Sequence, residues 1–421
     1  MAILQLSKHF KYFKYSRHSK YSRHSKYFRH FPQLPQKATI NKNKIPTMKY
    51  YIIAGEASGD LHASKLMRGI KARDTQAEFR CWGGAGMEAE GGIIIKHYRE
   101  LAFMGFQEVL LNIRTIIRNI RFCKEDILTW KPDAVILVDY PGFNMRIAEF
   151  AKAKGMKVFY YISPQVWAWK KHRVHKLHRI TDLAFVVLPF EKEFHAQYGY
   201  HVEFTGHPMP DSMDLTAKTD EYAFRKTNGL SDKPIIALVS GSRKQELQRI
   251  LPIMLKTTVR FPEYQFVITG VDTIKQDYYT KLIKNYPVKV VFGKTQELLR
   301  ISRAAVVKSG TVTLETAMLG VPQVVCYQFS FITSLIARLL VHVKFASLVN
   351  LILDREAVTE LLQNKFTVKN LYRELALLLP DGEPRSRMLN DYKELLTLVG
   401  PPGASDRAAA IMVKELIVNN E

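Results

Sequence analysis

Short apolar runs alternate with longer amphipathic stretches along most of this chain, a pattern typical of parallel strands joined by helices. Runs such as KYYIIA, DAVILV and IIALV are almost entirely apolar, so we predict strands buried on both faces of a sheet. The predicted strands are 49–54, 133–138, 158–162, 183–188, 234–239, 264–269, 289–292, 304–307 and a last one from Gln323. The segments between them indicate helices, which makes the fold class α/β.

Polar residues 211–232 divide these strands into two groups and are predicted to form a linker. We therefore predict a Rossmann-like N-terminal domain over 48–210 and a second Rossmann-like domain over 233–395. From 361 onward the chain is predicted to be largely helical, and a final helix within 396–421 would return to the first domain. Ligands of such sheets bind at the carboxyl ends of the strands, so the two domains should face each other across a cleft.

Charge is concentrated at the start of the chain. The formal net charge is +23, but residues 1–47 hold eleven lysines and arginines and no acidic residue, which leaves +12 for the rest. Residues 10–30 repeat a Lys-Tyr-Ser-Arg-His-Ser unit that has no aliphatic residue to build a core, so we predict a disordered basic extension. Met48 directly precedes the first strand, and we expect the start of the chain to be mis-assigned, with Met48 as the true beginning.

The three cysteines, Cys81, Cys123 and Cys326, show no metal-ligand spacing, which favours a reducing cytosol. No run of eighteen apolar residues is present, so a spanning helix is not expected.

Residues 101–124 combine an apolar helical face with a cationic one. Such a helix lies on an anionic membrane in some proteins and packs against a core in others, and both alternatives stay open here. The candidate membrane contacts are Phe106, Val109, Leu110 and Ile113.

Three loops that follow predicted strands in the first half carry candidate site residues. GEASGD at 55–60 supplies Glu56, Ser58 and Asp60, which either contact a ligand or cap the next helix. Its glycine spacing is not the dinucleotide fingerprint, so NAD is not expected. Asp139 follows the strand at 133–138 and is a candidate catalytic carboxylate, with helix capping as the structural alternative. Trp167 and Trp169 in SPQVWAW would form either core packing or a wall against a saccharide and acyl chain, and a basic helix follows them.

In the second half, Arg243 follows the strand at 234–239 and is placed to pair with phosphate oxygens. A small-residue turn of Ser309, Gly310 and Thr311 precedes a helix start, whose free N–H groups suit a phosphate. Glu315 lies one turn further on, where its carboxylate could accept hydrogen bonds from sugar hydroxyls. The alternative is an ordinary turn capped by a threonine, with Glu315 facing water.

A carboxylate from one half opposite a phosphate cradle from the other is what glycosyl transfer from a nucleotide sugar needs. The base deprotonates the acceptor hydroxyl, while a cation and helix-start N–H groups stabilise the departing diphosphate. The sequence has no Asp-x-Asp metal motif, so positive protein groups are expected to act in place of a metal, and no cofactor is expected. The predicted architecture is the glycosyltransferase B fold.

Nine segments in order also resemble the lipid-A-disaccharide synthase family. They are GEASGD, MGFQEVL, VDYPGFN, SPQVWAW, LPFEKEF, TGHP, GSR, SGTVTLE and SLVNLILDREAVTELLQ, within about residues 48–415. The resemblance implies an inverting transferase that joins UDP-2,3-diacylglucosamine to 2,3-diacylglucosamine 1-phosphate (lipid X). The products are a β-1,6-linked disaccharide 1-phosphate and UDP.

By this resemblance Asp139 matches the family's candidate base and Arg243 the arginine at the donor diphosphate. Glu315 and Asn350 match donor-binding positions, with Ser309 and Thr311 at the phosphate turn. The family also implies a cytoplasmic enzyme, peripheral on the inner membrane, that forms a homodimer in many members by exchanging carboxyl-terminal helices. One departure is Gly142, where many relatives carry a second acid; the other is 1–47, which has no family counterpart.

Other readings stay open at this point. A glycosyltransferase of the same fold could act on another lipid-linked acceptor, such as the polyprenyl-linked precursor of lipid II, and a UDP-sugar hydrolase or epimerase could share the fold. A nucleic-acid-binding protein working through its basic tail, and a silent membrane-surface scaffold, are the non-enzymatic alternatives. No nucleic-acid partner is expected for the glycosyltransferase.

Overall fold

The computed structural model describes residues 47–101, 112–169, 173–328 and 344–418. Two parallel six-stranded sheets with helices around them form this part of the chain. The predicted α/β class with two Rossmann-like sheets is therefore confirmed. The predicted extension lies almost wholly outside the described residues, as do the candidate membrane contacts Phe106, Val109 and Leu110.

The first sheet has the strand order β3-β2-β1-β4-β5-β6. Its strands are β1 (Lys49–Ala54), β2 (Glu78–Gly83), β3 (Ile93–His97), β4 (Ala134–Val138), β5 (Lys157–Tyr161) and β6 (Leu183–Phe185). Its helices are α1 (Ala57–Lys71), α2 (Ala85–Ala89), α3 (Ile113–Trp130), α4 (Pro141–Ala153), α5 (Val166–Trp169), α6 (Arg173–Arg179) and α7 (Glu191–Ala196). The order reverses between β1 and β4, and this switch point opens a crevice beyond the carboxyl ends of these two strands.

The second sheet has the order β12-β11-β10-β7-β8-β9, which is the same topology. Its strands are β7 (Ile235–Val239), β8 (Gln265–Gly270), β9 (Val288–Phe292), β10 (Ser302–Lys308), β11 (Gln323–Tyr327) and β12 (Glu360–Leu362). The remaining helices are α8 (Glu221–Asn228), α9 (Lys244–Thr258), α10 (Gln276–Ile283), α11 (Thr295–Arg300), α12 (Thr311–Met318), α13 (Leu348–Leu353), α14 (Val368–Leu378), α15 (Glu383–Val399) and α16 (Ala404–Val418). Its switch point lies between β7 and β10.

Alternate residues of β1 pack in two different hydrophobic clusters, one on each face of the first sheet, because neighbouring side chains of a strand point to opposite faces. Tyr50 and Ile52 pack in the cluster that contains residues of α1 and α16, whereas Tyr51 and Ile53 pack with α3 and α4. Burial on both faces explains why β1 and β4 are nearly continuous apolar runs in the sequence.

The last helix, α16, packs against α1 on the first sheet. A Cβ added at Gly69 would lie 2.9 Å from the Cβ of Ala409, so glycine permits this close approach. Arg73 forms two hydrogen bonds with the Asp406 carboxylate, at 2.5 and 2.8 Å. Asp211 accepts backbone N–H groups at the start of α16, at 2.6 Å from Gly403.

Four segments differ from the pattern predicted for them. The strands β2 and β3 were not among the predicted strands. Within 211–232, residues of α8 form a helix, and Phe224 packs against the second sheet. Within the part predicted to be helical from 361 onward, β12 adds an edge strand to the second sheet before the helices begin. Three residues are too few to show a strand period, which is why this edge was missed. The domain boundaries themselves stay a prediction.

Candidate active site

Asp139 directly follows β4 and lies at the switch point of the first sheet. Its φ of 47° and the φ of 49° at Tyr140 place two successive residues in the left-handed region, which is rare for residues other than glycine. The buried amide of Asn144 and the hydroxyl of Tyr160 both donate to the Asp139 carbonyl oxygen, at 2.7 and 2.8 Å, and hold this conformation. No side chain caps α4, so Asp139 does not serve as its cap.

The Asp139 side chain lines a pocket of about 680 Å³. Its carboxylate is accessible from the pocket, but the surrounding protein displaces much of its water and raises the pKa of Asp139. A hydrogen bond from the backbone N–H of Tyr140 partly opposes this increase. A carboxylate with a raised pKa is a stronger base, which suits the abstraction of a hydroxyl proton.

Glu56 is influenced by charged residues of both halves of the chain, Asp139 and Arg243. It precedes α1 but makes no side-chain capping bond to the helix. Burial raises the pKa of Glu56, the nearby charge of Asp139 raises it further, and the charge of Arg243 opposes the rise. Glu56 therefore lies close to Asp139 from its own sheet and to Arg243 from the second sheet. Gly55 allows this loop to approach Tyr140, because a Cβ at Gly55 would lie 2.4 Å from the ring.

Asp60 is committed to the protein itself. Its buried carboxylate accepts backbone N–H groups from Gly84 at 2.7 Å, Gly86 at 2.9 Å and Met87 at 3.2 Å. Asp60 thus joins the loop at 55–60 to the glycine-containing loop at 83–86 that follows β2. Ser58 is exposed on the first turn of α1.

A second pocket, of about 820 Å³, lies at the carboxyl ends of β7 and β10. Gly310, Thr311 and Glu315 line it. The N-cap residue of α12 is Gly310, which has no side chain to cap the helix, and the hydroxyl and N–H of Thr313 both donate to the Gly310 carbonyl. The first N–H groups of α12 therefore remain available for an anion at the pocket.

Glu315 accepts a hydrogen bond from the Gln296 amide at 2.8 Å. Burial raises the pKa of Glu315, while this hydrogen bond and the charge of Arg300 oppose the rise. Gln296 and Arg300 also line the pocket. Both belong to α11, which follows β9. Neither residue directly follows a predicted strand, so the strand-end rule did not single them out.

Two cations lie at or after the ends of central strands of the second sheet: Lys308 lines the donor pocket, whereas Arg243 is not among the described residues that line it. Arg243 is the exposed residue that precedes α9, and its charge lowers the pKa of Glu56 and opposes the burial-driven rise in the pKa of Tyr327. Lys308 is the last residue of β10, lines the pocket and pairs with Glu246 at 2.9 Å. Sequence reasoning missed Lys308, although the strand-end rule that singled out Asp139 applies to it equally.

Ser309 and Asn350 are engaged within the protein. The Ser309 hydroxyl donates to the Ala346 carbonyl at 2.7 Å. Buried Asn350 donates to Glu360 and to the Val358 carbonyl, and its amide oxygen accepts the N–H groups of residues 357 and 358. All four hydrogen-bonding positions of this amide are thus used, and Asn350 lines a separate pocket of about 510 Å³. Its donor-binding role stays a prediction.

Trp167 is half-buried, and its indole N–H donates to Glu191 at 3.1 Å. Glu191 is fully buried, which raises its pKa to about 7, and it also accepts the Val187 and Leu188 N–H groups. Trp167 therefore helps to fix the turn before α7. The backbone of Trp169 ends α5, and its side chain lies outside the described part.

The remaining predictions concern the membrane and metals. Ile113 begins α3 and is 44% exposed. No helix of the described ranges is long and apolar enough to cross a membrane. The described residues also gather no group of three or more histidine, cysteine or acidic side chains that could hold a metal ion.

Solved structures of other proteins share this fold. A UDP-GlcNAc 2-epimerase from Neisseria meningitidis, bound to UDP-GlcNAc, aligns with a TM-score of 0.63 at 13% identity, over 87% of this chain and all of that chain. The glycotransferase of kitacinnamycin aligns with a TM-score of 0.60 at 12% identity, over 88% of this chain and all of that chain. At these identities the likeness shows the fold alone.

Curated relatives give a closer match. The chain is 37% identical to the lipid-A-disaccharide synthase of Myxococcus xanthus over 87% of its own length and 97% of the relative's. It is 36% identical to the enzyme of the same name from Syntrophus aciditrophicus, over 88% of this chain and 98% of the relative. Residues 50–412 match the family described as lipid-A-disaccharide synthetase. The chain therefore belongs to the lipid-A-disaccharide synthetase family.

Proposed function

We propose that this protein transfers 2,3-diacylglucosamine from UDP-2,3-diacylglucosamine to 2,3-diacylglucosamine 1-phosphate. The acceptor's 6-hydroxyl forms a bond to C1 of the donor sugar as the bond from C1 to the UDP oxygen breaks, with inversion at C1. The products are the β-1,6-linked disaccharide 1-phosphate and UDP. Family membership supports this reaction, and it leaves the epimerase, scaffold and nucleic-acid readings without support.

The observation that carries the proposal is that the charges of Asp139 and Arg243 both act on the partly buried Glu56. It brings the acid of the first sheet and the cation of the second sheet into one neighbourhood. Asp139 takes the proton of the 6-hydroxyl, and its raised pKa makes it a better base for this step. Arg243 and the open N–H groups of α12 stabilise the negative charge that develops on the departing UDP.

The donor pocket supports the position of the nucleotide sugar. Lys308 lies beside the turn that precedes α12 and lines the donor pocket, where its ammonium, partly balanced by Glu246, adds a cationic hydrogen-bond donor near the diphosphate. Glu315, oriented by Gln296, accepts a hydrogen bond from a sugar hydroxyl of the donor. These cations supply the charge compensation of the step; that no metal is required stays a prediction.

The direct test incubates the purified chain with both acylated glucosamine substrates. We expect equal amounts of UDP and disaccharide 1-phosphate, measured by coupled UDP detection and by mass spectrometry. UDP release without disaccharide would indicate a hydrolase, and epimerised UDP-sugar would indicate the alternative shared by the structural neighbours. Either result would overturn the proposed reaction.

We also propose peripheral association with the cytoplasmic face of the inner membrane, where acylated substrates are embedded. The first half of α3 exposes Ile113 and Ile117, 44% and 52% exposed, beside exposed Arg114, Arg118 and Arg121. Apolar side chains next to cations favour an anionic bilayer surface. A homodimer formed by exchange of carboxyl-terminal helices remains a prediction from the family resemblance. In the structure of the single chain, α16 packs against α1 of the same chain.

Replacing Ile113 and Ile117 together by serine is expected to weaken binding to phosphatidylglycerol vesicles by about tenfold or more, because two apolar side chains no longer enter the interface. Co-sedimentation with vesicles measures this. Leu128→Ser is the matched control, since Leu128 is 42% exposed on the far end of the same helix. Equal loss in the control would mean that the first half of α3 has no particular role at the membrane.

A further inference from the structure

The pocket that holds Asp139 carries more positive charge than the proposed chemistry at Asp139 uses. It lies beyond the carboxyl ends of β4 and β5. Among the described residues that line it, Asp139 is the one acid, whereas Arg146, Arg173 and Lys176 are three cations. A pocket that needs only to deprotonate a neutral hydroxyl does not require this excess, and cations next to the base lower its proton affinity.

Ser163 gives a second, independent sign of a ligand in this pocket. It lines the pocket and is only 3% exposed, and its hydroxyl oxygen has no hydrogen-bond partner in the described structure. Buried hydroxyl groups are nearly always paired, because leaving one unpaired costs free energy. The preceding residue, Ile162, has a φ of 59°, which is a strained conformation for a β-branched side chain. The strained backbone of Ile162 thus lies next to the unpaired hydroxyl of Ser163 at the wall of the pocket.

The three cations are not equivalent. Lys176 pairs with Glu149 at 2.8 Å, so its charge is partly balanced within the protein. Arg146 donates to the Gly142 carbonyl of its own helix. Arg173, half-buried at the start of α6, makes no ion pair with another described residue although its side chain lines the pocket. Arg173 is therefore the cation best able to take up an external anion.

We infer that Arg173, with support from Arg146, binds the anomeric phosphate of the acceptor, and that Ser163 donates its hydroxyl to an acceptor oxygen. This inference rests on the proposed function and names the subsite that the acceptor occupies. The acceptor carries its phosphate on C1 and its nucleophilic hydroxyl on C6, which is attached to C5, so the two groups extend from the two carbons that flank the ring oxygen. Asp139 serves the hydroxyl, and the guanidinium fork of Arg173 matches the oxygens of the phosphomonoester.

The test compares two acceptors, 2,3-diacylglucosamine with and without the 1-phosphate, in neutral-detergent micelles. We expect the unmodified protein to prefer the phosphorylated acceptor, and Arg173→Gln to raise the KM for that acceptor by about 10- to 100-fold. The same variant is expected to leave the KM for the donor unchanged and to alter transfer to the dephosphorylated acceptor by less than about twofold. Arg173→Lys should restore part of the loss, because it keeps the charge without the fork.

Arg179→Gln is the matched control: Arg179 ends the same helix, its side chain is 73% exposed and it does not line the pocket. It removes the same charge, so an effect of net charge alone would appear in both variants. Ser163→Ala is expected to raise the acceptor KM without lowering the melting temperature, since the parent hydroxyl has no partner to lose. A loss of stability in Ser163→Ala would contradict the proposed role of this hydroxyl.

The outcomes separate this subsite from the reaction itself. If the unmodified protein transferred to neither acceptor, the proposed function would fail. If it transferred but Arg173→Gln kept the full preference for the phosphorylated acceptor, the subsite alone would fail. If the Arg173→Gln effect appeared only with phosphatidylglycerol vesicles and not in neutral micelles, the anion would be a lipid headgroup, and the assignment to the acceptor would be overturned.

Discussion

Asp139→Asn is expected to lower kcat by roughly 10²- to 10⁴-fold, the range typical for the loss of a positioned general base. An amide cannot take the proton of the 6-hydroxyl, whereas it keeps the size of the carboxylate and its ability to accept the Tyr140 N–H. Steady-state transfer assays with saturating donor and acceptor measure this change. The KM values for both substrates are expected to change much less than kcat.

Asparagine is the informative replacement because of the backbone at this position. Asp139 has a φ of 47°, a region that asparagine and aspartate tolerate better than other residues with a side chain. Alanine would add a conformational cost that could be mistaken for a catalytic one. The protein raises the pKa of Asp139, so its charged form is disfavoured in the folded state. Asp139→Asn should therefore be at least as stable as the parent at neutral pH, as thermal unfolding would show.

The pH dependence provides a second readout of the same variant. Because the pKa of Asp139 is raised, kcat/KM of the parent should fall, as the pH is lowered, at a higher pH than for an ordinary carboxylate. This acidic limb is expected to disappear in Asp139→Asn. Asp354→Asn is the matched control, since Asp354 also has a positive φ, 51°, and does not line the Asp139 pocket. If Glu56→Gln removed turnover and Asp139→Asn did not, Glu56 would be the base.

The sequence pattern predicted the central strands of both sheets well, and the physical reason is their burial. Strands such as β4 and β7 are covered on both faces, so they appear as uninterrupted apolar runs. In contrast, β3 is partly exposed along its length. It also contains Lys96 and His97, which interrupt the apolar run that would have identified it as a strand. Because Asp139 and Arg243 both follow buried central strands, the strand-end rule was sufficient to find them.

The hydrogen-bond partners of the polar side chains were much harder to predict from the sequence than the ends of the strands that these residues follow. The polar residues of GEASGD look alike in sequence, yet Asp60 is committed to three backbone N–H groups while Glu56 lies near Asp139 and Arg243. Asn350 matched a family position, but its amide is saturated by contacts within residues 357–360. Which hydrogen bonds a polar side chain makes depends on long-range packing, and a one-dimensional pattern holds no information on it.

The second large effect is expected at Arg243. Arg243→Ala should lower kcat by roughly 10²- to 10³-fold, the usual cost of removing one preorganised group that stabilises developing negative charge. UDP binding should weaken as well, because the ground-state diphosphate is already anionic, and calorimetry would measure this directly. Arg243→Lys should fall between the parent and the alanine variant, since it keeps the charge but loses the planar fork.

The neighbouring Lys244 provides the matched control for Arg243. Lys244 is the first residue of α9 and is exposed, and its ammonium lies 5.8 Å from the Tyr278 ring centre. Neither Lys244 nor Arg243 is among the described residues that line the donor pocket, but the charge of Arg243 acts on Glu56 and Tyr327. Lys244→Ala changes the net charge by the same amount one residue away. A general field effect would therefore lower turnover in both variants, whereas contact with the diphosphate would make Arg243→Ala alone lose it. Equal losses would remove Arg243 from the proposed site, and the charge on the departing UDP would then fall to Lys308 and the N–H groups of α12.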